Sequence, residues 1–172
     1  MTHGTIDVAE TADGPFTIVA ADDGAVLGAG WSTSADDVLA RIHPTLRPAS
    51  VREGSLVAAD AVRAYYQGDA VAVSTVEVRQ HGTVLQARGW NGLREIPPGE
   101  PVTYSELADH LGQDAGAVRA VAAVCARNAA ALFVPCHRVL RADGSLGGFA
   151  WGLEVKRSLL AREGAPGFAA LF

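Results

Sequence analysis

The chain has 172 residues, 49% of them hydrophobic and 19% charged, and carries a net charge of −5. This is enough apolar material to bury a core in one large domain or two small ones, and no apolar run reaches the roughly 18 residues that a membrane-spanning helix needs. Two cysteines, Cys125 and Cys136, exclude a disulfide framework and, with no Cys-x-x-Cys pair, a ribbon-type zinc site, so either one matters as a thiol or not at all. The start "MTHGTIDVAE" lacks the basic residues and apolar block of a secretory signal, and a cytoplasmic protein is expected.

Charge is unevenly spread. Residues 1–84 carry five Arg against eleven Asp and Glu, whereas residues 115–162 carry seven Lys and Arg against Asp143 and Glu154. A nucleic-acid partner, if there is one, belongs to the second half.

Along the chain, "GPFTIVAADDGAVLGAGW" (14–31) reads as two strands joined by the Asp22-Asp23-Gly24 turn. Ser34 is placed to cap a short helix, "ADDVLARI", that stops before His43-Pro44, and a loop with Pro44, Pro48 and Gly54 follows. Leu56, Ala59, Val62 and Tyr66 repeat at helical spacing ahead of Gly68. The valine-rich alternation "AVAVSTVEV" (70–78) predicts a further strand, closing an N-terminal sheet of about three strands.

From Val84 onward the pattern turns helical, broken by Pro97-Pro98-Gly99. A domain boundary near residue 80 is expected, with residues 1–80 as a sheet-plus-helix domain and 81–172 as a mostly helical one, an α+β chain overall. In "TYSELADHLG", Thr103 and Glu106 have the spacing of a capping box, and Gly112 ends the helix. A second helix in "AGAVRAVAAVCAR" completes the outline of a helix-turn-helix, an outline that any small helical hairpin shares.

Chemistry points to "VPCHRV" (134–139). A thiol titrates near pH ~8.5 and only its thiolate is a strong nucleophile, so a basic neighbour matters, and Cys136 is followed by His137 and Arg138. Adjacency does not decide the question. A cysteine closing the strand "ALFV" is also what a small buried apolar residue looks like, and this bland reading is preferred for Cys125, flanked by valine and alanine.

The wider pattern resembles the O6-alkylguanine-DNA alkyltransferases. Its carriers are "IPPGEPVTYSELA" (96–108), "VRAVAAVCARN" (118–128), "VPCHRV" and "GGFAWGLEVKRSLLAREG" (147–164), with wording similar to the C-terminal domain of Ada or its stand-alone relatives. The resemblance implies DNA repair: an alkyl group passes from O6-alkylguanine, or O4-alkylthymine, in double-stranded DNA to the protein's own cysteine, once per molecule, with no metal or organic cofactor. It implies a monomer, and two cysteines cannot supply the four that the zinc-binding regulatory half of Ada needs, so a repair enzyme and not the regulator is expected. It places the nucleophile on Cys136, the base acting through a water on His137, the carboxylate orienting that base on Glu163, and the tyrosine that eases departure of guanine on Tyr104. Arg119 falls on the finger that replaces the flipped base, and Asn128 on the hinge before the nucleophile segment. Ala120 and Ala123 have the small size that close approach to a groove floor requires, or else face the core. Backbone at Val139 and Ala150 would meet the base, with Phe149 stacking and Trp151 beside it. Phe149 stands where many relatives have tyrosine, Ala129 where proline is frequent, and Gly89 within the helix of "TVLQARGW" suggests local softness. Arg138 is left open, either pairing within the fold or reaching phosphate.

Overall fold

The computed structural model describes residues 2–168. They form two compact units, one of residues up to His81 plus Ala129–Phe133, the other of Gly82–Asn128 plus the chain from Val134 onward. One cut near residue 80 misses this return. Ala29 N–H donates to the Ala129 carbonyl at 2.8 Å, Ala131 N–H to the Ala29 carbonyl at 3.3 Å, and the Phe133 ring lies 6.0 Å from that of Phe16.

The first unit holds β1 (His3–Thr11), β2 (Gly14–Ala21), β3 (Val26–Trp31), α1 (Ala35–Leu39), β4 (Ser50–Glu53) and α2 (Val57–Tyr66). The sheet runs β3-β2-β1-β4, antiparallel except for the parallel pairing of β1 with β4. Its centre is β2, where Phe16, Thr17, Ile18, Val19 and Ala20 are all buried, as a strand covered on both faces requires. The expected hairpin is present, but the sheet has four strands. Residues 70–78 are not one of them: Ala72–Thr75 form a 3-10 turn, and Val78 only bridges Val26. Local bonds win over the alternating valines there, since Ser74 donates both its N–H and its hydroxyl to the Val71 carbonyl. The strands β1 and β4 escaped the sequence reading because polar residues interrupt β1 and β4 has only four residues, so pairing with neighbours defines both.

The second unit contains α3 (Val84–Arg94), β5 (Val102–Thr103), α4 (Tyr104–His110), α5 (Val118–Ala126), β6 (Val139–Leu140) and α6 (Leu153–Arg162), with β5 and β6 paired in parallel. Both α3 and α4 begin with complete capping boxes, Thr83 with Gln86 and Thr103 with Glu106. Each box satisfies two backbone donors that a helix start leaves exposed. Gly112 at φ +69° ends the α4 segment, and a 3-10 turn over Ala115–Ala117 leads into α5. Gly89 is not a soft point. A Cβ there would stand 2.5 Å from Cγ1 of Val124, so glycine lets α3 and α5 approach closely, and Trp90 Nε1 donates to the Val124 carbonyl at 2.9 Å in the same contact.

Candidate active site

The segment carrying Cys136 is shaped by its backbone. Pro135, at φ −82° and ψ 64°, occupies the centre of an inverse γ-turn in which Cys136 N–H donates to the Val134 carbonyl at 2.8 Å. A single 3-10 turn, Cys136–Arg138, follows. The strand expected over "ALFV" is absent: Ala131 and Val134 make isolated bridges, and Leu132 sits at φ +74°. Asn128 Nδ2 donates to the Val134 carbonyl at 2.8 Å, tying the end of α5 to the turn two residues before Cys136.

His137 is fully buried, Arg138 is 5% exposed and Cys136 is half-buried. Glu163, capping the C-terminus of α6 with its side chain out of solvent, receives both neighbours of the thiol. Its Oε2 accepts from His137 Nε2 at 2.8 Å and from Arg138 Nη2 at 2.9 Å, while Oε1 accepts from Arg138 Nε at 2.8 Å. Arg138 Nη1 donates to the Ile96 carbonyl at 2.7 Å. The open question about Arg138 closes here, because its guanidinium is spent within the fold as a two-pronged clamp on Glu163.

Burial disfavours the charged form of each partner, and the outcome differs between them. It pushes His137 below its ordinary value against the pull of Glu163, so the imidazole is neutral at pH 7. Burial also opposes ionisation of Glu163, yet the hydrogen bond from His137 and the charged Arg138 fork overcome it and hold the carboxyl well below the usual carboxylate range. An ionised carboxylate only accepts, so His137 Nε2 carries the hydrogen and Nδ1 is left basic. That Nδ1 is buried and meets no hydrogen-bond partner among the described residues. The Pro97-Pro98-Gly99 break packs against the backbone of the same residue: Gly99 has φ +84°, and a Cβ there would stand 2.6 Å from the Glu163 carbonyl oxygen.

Around this triad lie further groups. Tyr104, half-buried at the start of α4, is pushed up to about 12, chiefly by burial, so its hydroxyl keeps its hydrogen as a donor. Burial likewise pushes the Cys125 thiol well up, which fits an inert apolar cysteine. Val139 is buried on β6, Phe149 and Trp151 are half-buried in the irregular stretch before α6, and Ala150 is exposed. Sequence reasoning missed Lys156. This fully buried lysine donates to the carbonyls of Val139 at 2.8 Å, Gly148 at 3.2 Å and Leu146. Its signal was its place with Leu159 and Leu160 at i, i+3 and i+4, on the buried stripe of α6.

On α5, Arg119 and Ala120 are exposed, Ala123 is half-buried, and Val121 and Val124 turn inward. Arg119 forms no hydrogen bond or ion pair with a described residue. The helix pair thus offers a small-residue face with one long cation near its N-terminal end.

Known proteins similar to this chain identify its family. The sequence model for the 6-O-methylguanine DNA methyltransferase DNA-binding domain matches residues 84–165. A Mycobacterium tuberculosis OGT crystallised in complex with DNA superposes with a TM-score of 0.74 at 32% identity, covering 99% of both chains. The chain belongs to the O6-alkylguanine-DNA alkyltransferase family. Among curated alkyltransferases, the bifunctional activator and repair enzyme Ada of Escherichia coli is 48% identical over 89 residues, 52% of this chain and 25% of Ada. The methylated-DNA–protein-cysteine methyltransferase of Methanosarcina acetivorans is 43% identical over 104 residues, 60% of this chain and 65% of that protein. Both matches span less than two thirds of the relative's length. No helix among the described residues is long and apolar enough to cross a membrane.

Proposed function

We propose that this alkyltransferase-family protein repairs DNA by moving the alkyl group of O6-alkylguanine, and of O4-alkylthymine, onto Cys136, once per molecule. The observation that carries this reading is the buried His137–Glu163–Arg138 constellation immediately after a half-buried cysteine. A nucleophile, a base and a group orienting the base are the parts that covalent catalysis by a thiol needs.

The residues divide the work. His137 Nδ1 takes the Cys136 proton through a bridging water, and Glu163 steadies the imidazolium that forms. The thiolate sulfur attacks the alkyl carbon, a carbon–sulfur bond forms, and the bond from that carbon to O6 breaks. Guanine departs with the bonding pair, and the Tyr104 hydroxyl donates to its ring nitrogen to ease the departure. The thioether product has no leaving group, so Cys136 is consumed. No metal or organic cofactor enters the balance.

The lesion sits inside a duplex and must be flipped out, at a cost that poor pairing of the alkylated base reduces. Arg119 fills the space left in the stack, while Ala120 and Ala123 let α5 approach the minor groove and Asn128 holds the α5 end against the Cys136 turn. The flipped base meets the Val139 carbonyl and the Ala150 amide and stacks on Phe149, with Trp151 alongside. The protein acts as a monomer in the cytoplasm on double-stranded DNA.

The test is a mass measurement after incubation with a duplex containing O6-methylguanine. A gain of one CH2 unit on the peptide bearing Cys136 is expected, and Cys136→Ala should abolish it while binding to the lesion duplex persists. Tight binding by the unaltered protein with no change in mass would sink the reading and indicate a non-catalytic lesion binder.

A further inference from the structure

Lys156 is a buried cation with no carboxylate partner among the described residues, and that combination is costly enough to require a reason. Its three acceptors are all backbone carbonyls. A neutral amine has two N–H donors and an ammonium has three, so the geometry calls for the charged form even though burial pushes Lys156 below the ordinary lysine range.

The identity of those carbonyls is the informative point. Val139 lies on β6, and Leu146 and Gly148 lie at the far end of the loop that follows. Residues 141–152 have no helix or strand to hold them. Within this stretch the Arg141–Gly144 turn is local: Gly144 N–H donates to the Arg141 carbonyl, Arg141 N–H to the Ser145 carbonyl, and Ser145 donates to Asp143. None of these bonds reaches α6. Leu140 and Leu146 pack with Leu160 and Ala165 on the apolar side, which leaves the direction of the carbonyls unspecified. Directional bonds come from Lys156 Nζ, which joins the beginning of the loop to its end.

We propose that Lys156 is a positioning residue that clamps residues 139–148 so that the backbone facing the flipped base, from Val139 to the loop carrying Phe149 and Ala150, is ordered before the lesion arrives. The proposal rests on the alkyl-transfer reading for its consequence and on the Lys156 contacts alone for its structural part. Ordering the pocket in advance removes an entropy cost from base capture.

The experiment uses the full chain with Lys156→Met, which keeps length without donors, and Lys156→Gln, which keeps two donors. Amide hydrogen exchange of residues 141–150 should rise by about tenfold or more in the Met variant and by less in the Gln variant, while α4 and α5 keep their protection. If Met at this site weakens the whole unit, the comparison of Gln with wild type decides by the same criterion. Unchanged exchange at 141–150 in the Gln variant would overturn the clamp. The Met variant should also transfer methyl from the lesion duplex about tenfold more slowly while iodoacetamide still alkylates Cys136 within about twofold of the wild-type rate, since that reagent uses no pocket. An equal loss in both reactions would assign Lys156 to the thiol and overturn the positioning role. A wild-type protein that fails to methylate Cys136 would remove the alkyl-transfer reading and leave the exchange result standing.

Discussion

The sheet unit and the helical unit handle buried polarity in different ways. In the sheet unit the polar path is short, half-buried and carries one carboxylate: Trp31 Nε1 donates to the Tyr66 hydroxyl at 3.0 Å, which donates to Asp13 at 2.6 Å. In the helical unit His137, Arg138, Glu163 and Lys156 are charged or titratable, buried and mutually arranged. Hydrogen bonds between neutral groups cost little to bury, whereas buried ions rarely improve stability over an apolar core. The four groups of the helical unit therefore need a reason other than stability, which the proposed alkyl transfer supplies, whereas the sheet unit keeps its one carboxylate path partly in solvent.

Breaking the Glu163 pair should have the largest effect. Glu163→Ala leaves the Arg138 guanidinium buried without its carboxylate, and a loss of about 3–5 kcal/mol is expected in urea unfolding, together with loss of alkyl transfer. Tyr66→Phe cuts the sheet unit's path and should cost only about 1–2 kcal/mol, with the transfer rate per folded molecule unchanged. If Tyr66→Phe proved as damaging as Glu163→Ala, the contrast between the units would fail.

Acid should separate the units further. Burial depresses His137 below 6.5 in the folded protein, so as pH falls the unfolded chain takes up that proton first. Stability from this group is therefore whole above pH 6.5 and declines below it, and Glu163, also depressed, adds a second decline beneath its ordinary value of 4.5. Because the base stays neutral below 6.5, the single-turnover transfer rate should hold level from pH 8 through 6.5 and fall only beneath it. A rate that halves at pH 6.5 itself would contradict the depressed imidazole.

The smallest effect on folding is expected at the surface of α5. Arg119→Ala should alter stability by no more than about 0.5 kcal/mol, yet weaken lesion capture most on fully paired DNA. Equal weakening on single strands would remove Arg119 from the stack-filling role.

Legibility followed the range of the interaction concerned. Thr103 with Glu106, Gly112, and the Asp22-Asp23-Gly24 turn act within a few residues, and their elements appear where the sequence placed them. Residues 70–78 misled because alternating valines suit a strand, while Ser74 supplied a local alternative that closes Ala72–Thr75 into a 3-10 turn. Gly89 misled for the opposite reason: its cost to the helix is local, but its compensation, contact with Val124, comes from 35 residues along the chain. Lys156 was invisible as a site residue, since a lysine in "LEVKRSLL" also reads as a solvated helix cation until its burial is known.

By itself the sequence determined the chemical vocabulary: a thiol followed by an imidazole and a guanidinium, a carboxylate 26 residues beyond that imidazole, and motifs specific enough to name a family. Only the tertiary structure decided how these groups are used. It turned Arg138 inward onto Glu163 instead of outward to phosphate, left His137 Nδ1 as the basic atom, and set Lys156 across a loop with no regular structure. The physical reason is that propensity and capping are properties of neighbouring residues, whereas the protonation state and partner of a buried ion depend on what else the fold removes from water beside it.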